Sequence, residues 1–103
     1  MRAFDVTETA RKDLLEIWEY IWADNLDAAD RVIDRLHDAF EKLSPNPLIG
    51  HLREDLASPP HRFFLVYSYL IIYMADTRPL QIIRVLHAAR DMQNILGMAP
   101  DEL

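Results

Sequence analysis

Arg53, Arg62, Arg84, His87 and Arg90 are the residues of this chain whose types could act on a phosphodiester. A metal-free ribonuclease works by placing cations around the scissile phosphate, with a base for the 2′-hydroxyl and an acid for the leaving oxygen. Histidine is the natural proton shuttle and arginine the natural bidentate phosphate clamp. Strand periodicity opposes a shared site. On a regular strand Ile82, Arg84 and Leu86 lie on one face and Ile83, Val85 and His87 on the other, so Arg84 and His87 diverge unless a bulge intervenes. The same groups also have structural uses. His87, at the end of a strand, can bond a backbone carbonyl, and Arg90 can pair with Asp13, Glu16 or Asp91. Arg53 and Arg62 suit a sheet edge, where charge discourages strand addition.

Other chemistries find less material. With no cysteine there is no disulfide, thiolate metal site or thiol nucleophile. His37, His51, His61 and His87 lack the partner spacing of a metal site, so neither a metal nor another cofactor is expected. Two glycines cannot make a Gly-rich phosphate loop. Ser44, Ser58 and Ser68 stand in or near loops without a Gly-x-Ser-x-Gly elbow.

The elements that would position these residues follow from hydrophobic period. Residues 62–67, 69–75 and 80–87 read as three strands rich in Phe, Val, Ile, Leu and Tyr, divided by Ser68 and by the group Asp76-Thr77-Arg78-Pro79. Connections so short require an antiparallel meander. The sheet is apolar on both faces, so one face is left for a terminal segment or a partner to cover. Upstream, residues 2–6 form a short strand candidate and Thr7 an N-cap for a helix running to about Ala23. Leu14, Ile17, Trp18 and Ile21 make its apolar stripe, with Trp18 in the core and Trp22 at the edge. Asp24-Asn25 breaks this helix. A second begins near Leu26 or Asp27, where Ala29, Val32, Ile33, Leu36, Phe40 and Leu43 hold the 3.6-residue period. The short link makes the two an antiparallel hairpin that needs a sheet to cover its apolar stripe. Ser44-Pro45-Asn46-Pro47 ends it, Gly50 permits a tight turn into residues 51–56, and Pro59-Pro60 precedes the sheet. Residues 88–96 suit a short closing helix.

The expected order is therefore β-α-α-β-β-β in one α+β domain over residues 1–103, with the helical hairpin packed on a small antiparallel sheet. No apolar run approaches the roughly 20 residues of a membrane span. The N-terminus lacks the basic region and apolar core of a signal peptide, so the expectation is a soluble cytoplasmic domain without a membrane partner. The net charge is −6, yet residues 61–90 carry Arg62, Arg78, Arg84 and Arg90 against Asp76 alone. An anionic partner is possible at that sheet, but direct nucleic-acid binding is not expected because long-range steering is weak. Tyr67, Tyr69 and Tyr73 are expected mainly in packing, and any exposed member, like Trp22, would help hold a partner.

Taken together, these residues resemble the ParE/RelE superfamily of type II toxins, and its ParE branch, which includes plasmid stabilisation proteins, most closely. The resemblance rests on Ala10 with Asp13-Leu14 and Ile17, Tyr20-Ile21, the Pro47-x-x-Gly50-x-x-Arg53 turn, Arg62, the segment from Tyr69 to Tyr73, and Arg84-Val85-Leu86-His87-Ala88-Ala89-Arg90-Asp91. Two features depart from it: Tyr67-Ser68 stands where ParE-like chains commonly have Gly-Arg, and family toxins are usually basic. The resemblance implies a toxin that poisons DNA gyrase and forms a hetero-oligomer with a cognate antitoxin, which wraps it and covers apolar grooves. Trp22, Arg62, Tyr67, Tyr69, Tyr73, His87 and Arg90 are the expected partner-binding residues. A RelE-like enzyme cutting mRNA on the ribosome, with Arg53, Arg62, Arg84, His87 and Arg90 as its catalytic group, is the alternative. A family member that retains only antitoxin binding is the third reading.

Overall fold

The computed structural model describes residues 3–91. Its elements run β1 (Phe4–Val6), α1 (Glu8–Trp22), α2 (Leu26–Leu43), β2 (His61–Val66), β3 (Tyr69–Met74) and β4 (Leu80–His87). The order matches the sequence reading, with β1 starting at Phe4 instead of residue 2 and the ends of the later strands moved by at most a residue. Residues 88–90 form a turn, and the remainder of the closing helix expected at 88–96 lies outside the described residues. Among the described residues no helix is long and apolar enough to cross a membrane.

Thr7 caps α1 as its composition suggests, its hydroxyl oxygen accepting from the Ala10 N–H at 3.2 Å. The same hydroxyl donates to the Ile83 carbonyl at 3.0 Å, so one side chain starts the helix and fixes it to β4. Asn25, read from sequence only as a helix breaker, is the N-cap of α2 and accepts from Ala28 N–H at 3.0 Å.

The sheet order is β1-β4-β3-β2. β2, β3 and β4 form the expected antiparallel meander, whereas β1 pairs parallel to β4 and makes the sheet mixed. The central strand β3 is buried on both faces. Toward the helices, Ile71, Tyr73, Leu80, Ile82 and Val85 meet Leu14, Ile17, Leu36, Phe40 and Leu43. On the opposite face Leu70, Ile72, Phe63 and Leu86 are covered by Leu56 and Ala57 of the loop before β2. Cover from that loop is partial, and Leu65 at the β2 edge stays 58% exposed.

Two local features depart from regular strand geometry. Ile72 is paired with Arg84 and Tyr73 with Ile82, which leaves Ile83 as an extra residue on β4. This bulge resets the alternation, so Ile82 and Val85 both enter the helix-side core although they are three positions apart. The hairpin between the paired residues Val66 and Tyr69 turns on Tyr67, whose φ is 54°. That is left-handed backbone, in which glycine costs least.

Gly50 serves a different purpose from the one read in the sequence. A Cβ there would meet the Tyr73 ring at 2.8 Å from Cε1 and 3.0 Å from Cζ, and would clash outright with the hydroxyl. The missing side chain makes room for the Tyr73 hydroxyl, which donates to the Pro47 carbonyl at 2.6 Å and accepts from the Gly50 N–H at 3.0 Å. Gly50→Ala should therefore lower the urea midpoint by the equivalent of about 1–3 kcal/mol without changing the slope. Tyr73→Phe should cost less in the Gly50→Ala background than alone, since part of the clash leaves with the hydroxyl. Additive losses would show that the two groups do not share this space.

Candidate functional site

The structure does not gather the five candidate catalytic residues into one place. Arg53 lies on the far side of the sheet and is held by Asp55, Nε to Oδ1 at 3.0 Å and Nη2 to Oδ2 at 2.9 Å. The bond to Asp55 raises the Arg53 pKa, and the same bond lowers that of the Asp55 carboxyl. Arg62 reaches under the turn before residue 51 and donates to the Gly50 carbonyl at 2.8 Å and the Leu48 carbonyl at 3.3 Å. With Tyr73 beside it in the sheet register, Arg62 clamps that turn to the strands.

Arg84 follows the β4 bulge and reaches α1. Its Nε and Nη2 donate to the two oxygens of Asp13 at 2.8 and 3.1 Å, a bidentate pair in which Asp13 is buried and Arg84 largely so. That bond is the largest influence raising the Arg84 pKa, against desolvation that lowers it. Asp13 also accepts the Val85 N–H at 3.0 Å. Sequence reasoning offered Asp13 only as one possible partner of Arg90. The signal for its real place was an acidic residue inside the apolar stripe of Ala10, Leu14 and Ile17, where a charge is tolerated only if paired.

Arg90 instead pairs with Asp91 at 3.4 Å, and its guanidinium lies 5.5 Å above the Tyr20 ring. His87 accepts the Arg90 N–H at Nδ1, 3.0 Å, so its ring proton sits on Nε2 when neutral. Its ring meets the edge of Tyr69 at 5.4 Å, and its own N–H donates to Asp91 Oδ2 at 2.8 Å. Arg84 and Arg90 line one cavity of about 410 Å³ together with Asp13, Glu16, Tyr20 and Asp91. His87 is not among its lining residues, and three carboxylates there oppose an anionic substrate. No group of three or more His, Cys, Asp and Glu among the described residues could hold a metal ion.

The residues expected to meet a partner also divide. Trp22, Tyr67 and Arg90 are exposed, while Tyr69 and Tyr73 are buried, their phenol pKa values raised by desolvation. As folded, Tyr73 offers no surface at all, and Arg62 presents its guanidinium to backbone carbonyls. Trp18, placed in the core by periodicity, is half-buried on the seam between the helices, where its Nε1 donates to Asp30 at 2.9 Å. Its ring stacks on Trp22 at 5.9 Å.

Removing the Asp13 carboxylate would strand a largely buried guanidinium and the Val85 N–H together. Asp13→Ala should cost about 3–5 kcal/mol by denaturant titration, and Asp13→Asn less because one acceptor remains. A loss below 1 kcal/mol for Asp13→Ala would show that water replaces the pair on the surface. Burial also holds the Tyr73 phenol above its ordinary value of 10.0, so the folded chain keeps this proton where the unfolded chain has lost it. The stability tied to Tyr73 is fully present below about pH 10 and is lost as the pH rises through the folded value. Tyr73→Phe should flatten the alkaline fall in unfolding free energy, which a series of urea titrations across that range would read.

Comparison with known proteins agrees with this architecture. The family described as "ParE toxin of type II toxin-antitoxin system, parDE" matches residues 4–92. A solved structure from P. aeruginosa, titled "Chromosomal ParDE TA system", superposes with a TM-score of 0.69 at 18% identity, covering 84% of this chain and 96% of that one. At that identity the likeness shows the fold alone. No curated protein matches the sequence. The family match, which spans β1 through the end of β4, carries the assignment: this chain belongs to the ParE toxins of type II toxin-antitoxin systems.

Proposed function

We propose that the chain inhibits DNA gyrase by binding it in the cytoplasm, and that a cognate antitoxin neutralises it by covering the surface used for that binding. The observation that favours binding over RNA cleavage is the engagement of every candidate cation. Arg53 and Arg84 are locked to carboxylates, Arg62 to carbonyls, and Arg90 to Asp91 and the Tyr20 ring. A phosphate clamp needs guanidinium donors aimed at open space; freeing Arg84 or Arg62 would strand a buried carboxylate or the carbonyls of the clamped turn, whereas Arg53 and Arg90 sit in exposed pairs. His87 uses its Nδ1 on the Arg90 N–H and rests its ring against Tyr69. What the fold presents outward instead is a rigid platform with Leu15, Tyr20, Trp22, Leu26, Leu65 and Tyr67 exposed, the composition of a protein-binding surface.

Induced alone, the chain should arrest growth with a DNA-damage response and with mRNA intact, and the purified protein should inhibit supercoiling by gyrase. Co-expression of its cognate antitoxin should restore growth. His87→Ala with Arg62→Ala, checked for folding by circular dichroism, should reduce toxicity only as far as it reduces stability. Loss of toxicity in the folded double variant, with mRNA cleaved by the unmodified chain, would replace this reading by the RelE-like endoribonuclease. Growth unaffected by the unmodified chain, with antitoxin binding retained, would leave a member that only binds its antitoxin.

A further inference from the structure

The face of the sheet turned away from the helices holds a cavity of about 350 Å³, lined by His51, Arg53, Phe63, Leu65, Leu70 and Ala88. Phe63 and Leu70 belong to the far-face core and form its floor, and Ala88 packs against the same core. Leu65 stands beside them with 58% of its surface exposed. A mainly apolar lining of this size, with a small number of polar groups at one side, is the make-up of a small-molecule site.

Both polar side chains at this cavity are basic. Among the described residues no carboxylate lines it, although the chain carries 17 Asp and Glu. His51 is fixed in place through its backbone, which exchanges two bonds of 2.8 Å with Phe63, while neither of its ring nitrogens is hydrogen-bonded to a described residue. Arg53 spends Nε and Nη2 on Asp55, which leaves the Nη1 donors unpaired among the described residues. That pair is exposed on both sides, 44% and 59%, so it competes weakly with another acceptor at Nη1.

We infer that this cavity binds a free medium-chain aliphatic carboxylate, its chain laid over Phe63, Leu65 and Leu70 and its head group accepting from the His51 ring and from Arg53 Nη1. Volume, charge and the strand edge select this occupant. With each carbon taking roughly the 30 Å³ of a water molecule, a chain of about ten carbons fills the space. A helix about 10 Å across does not fit it. An extended peptide would have to run along β2, whose edge is already bonded at Phe63 by His51. A cationic ligand would meet two basic groups and no carboxylate, and a second copy of the chain would set His51 and Arg53 against themselves. Such a ligand is separate from the protein partners proposed above and requires neither of them.

Sodium decanoate, kept well below the concentration at which it forms micelles, is the probe, and isothermal titration calorimetry on the full chain reads its binding. One decanoate should bind per chain. Octanoate should bind about tenfold more weakly and hexanoate about tenfold more weakly again, as two buried methylenes are lost at each step. Decyltrimethylammonium, with the same chain and the opposite charge, should be at least about tenfold weaker than decanoate. Leu65→Glu sets a carboxylate beside the aliphatic chain at an exposed position and should abolish binding. Arg53→Gln should weaken decanoate by about fivefold and leave decanol within about twofold, which reads the head-group contact even if Leu65→Glu does not fold. Lys12→Gln makes the same change of charge on α1 and should leave decanoate within about twofold. The two tryptophans lie on α1, so their emission should stay constant through the titration. No binding by about 1 mM, equal affinity for the anionic and cationic amphiphiles, no dependence on chain length, or equal losses from Lys12→Gln and Arg53→Gln would overturn the proposal. A change in tryptophan emission with affinity unaltered by Leu65→Glu would place decanoate on the helices and overturn it as well.

Discussion

One carboxylate joins the two layers of this protein. Asp13 points from α1 into the sheet, where its oxygens take two donors from Arg84 and one from the Val85 backbone. The need arises from topology. β1 pairs with β4 only through Ile82, so the rest of that edge has no strand to bond. Thr7 takes the Ile83 carbonyl, Asp13 the Val85 N–H and Asp91 the His87 N–H, and side chains thereby finish a ladder that the short first strand cannot. An edge sealed in this way is closed to strand addition, which directs partners elsewhere.

A second anchor fixes the other end of the sheet. Tyr73 and Arg62, neighbours across β2 and β3, hold the carbonyls of Pro47, Leu48 and Gly50, and the following residue, His51, exchanges both backbone bonds with Phe63. The loop from α2 is thus drawn over the far face, where Leu56 and Ala57 enter the core. Leu65, beyond the reach of this bridge, remains exposed, and a cavity of about 350 Å³ lined by His51, Arg53, Phe63, Leu65, Leu70 and Ala88 opens beside it. The apolar ribbon is therefore only partly shielded by its own chain.

Function follows from what these anchors consume and what they leave. Of the residues that invite a nuclease reading, Arg84 and Arg62 are spent on joining the layers and clamping a turn, and Arg53, Arg90 and His87 bond near neighbours in the chain. Arg84 is held in a site where breaking the pair would cost several times what an exposed ion pair is worth. The outward surface is consequently aromatic, aliphatic and acidic instead of basic. The net charge of −6 is shared along the chain, with α1 and α2 each carrying two more Asp and Glu than Lys and Arg.

Period and turn chemistry by themselves determined the two helices, the Thr7 cap, the three-strand meander and the single α+β layer arrangement, because each depends on neighbours within a few positions. The resemblance carried by Asp13-Leu14, Gly50, Arg62 and the segment from Arg84 to Asp91 gave the family. What each of those residues does was decided by the tertiary structure. Alternation put Ile82 and Val85 on opposite faces, but an extra residue at Ile83 reset the count, and nothing local announces that bulge; Arg84 and His87, both beyond it, still alternate. The helical stripe put Trp18 inside, yet the distance between two packed helices left it on their seam with a hydrogen bond to Asp30. Gly50 reads as a residue for a tight turn until Tyr73, distant in sequence, is seen to need its empty space. The parallel pairing of β1 with β4, and the carboxylate that completes it, are contacts between residues more than seventy positions apart. Such contacts form only after the layers have packed, when burial turns an unpaired donor from a minor matter into a cost that some side chain must meet.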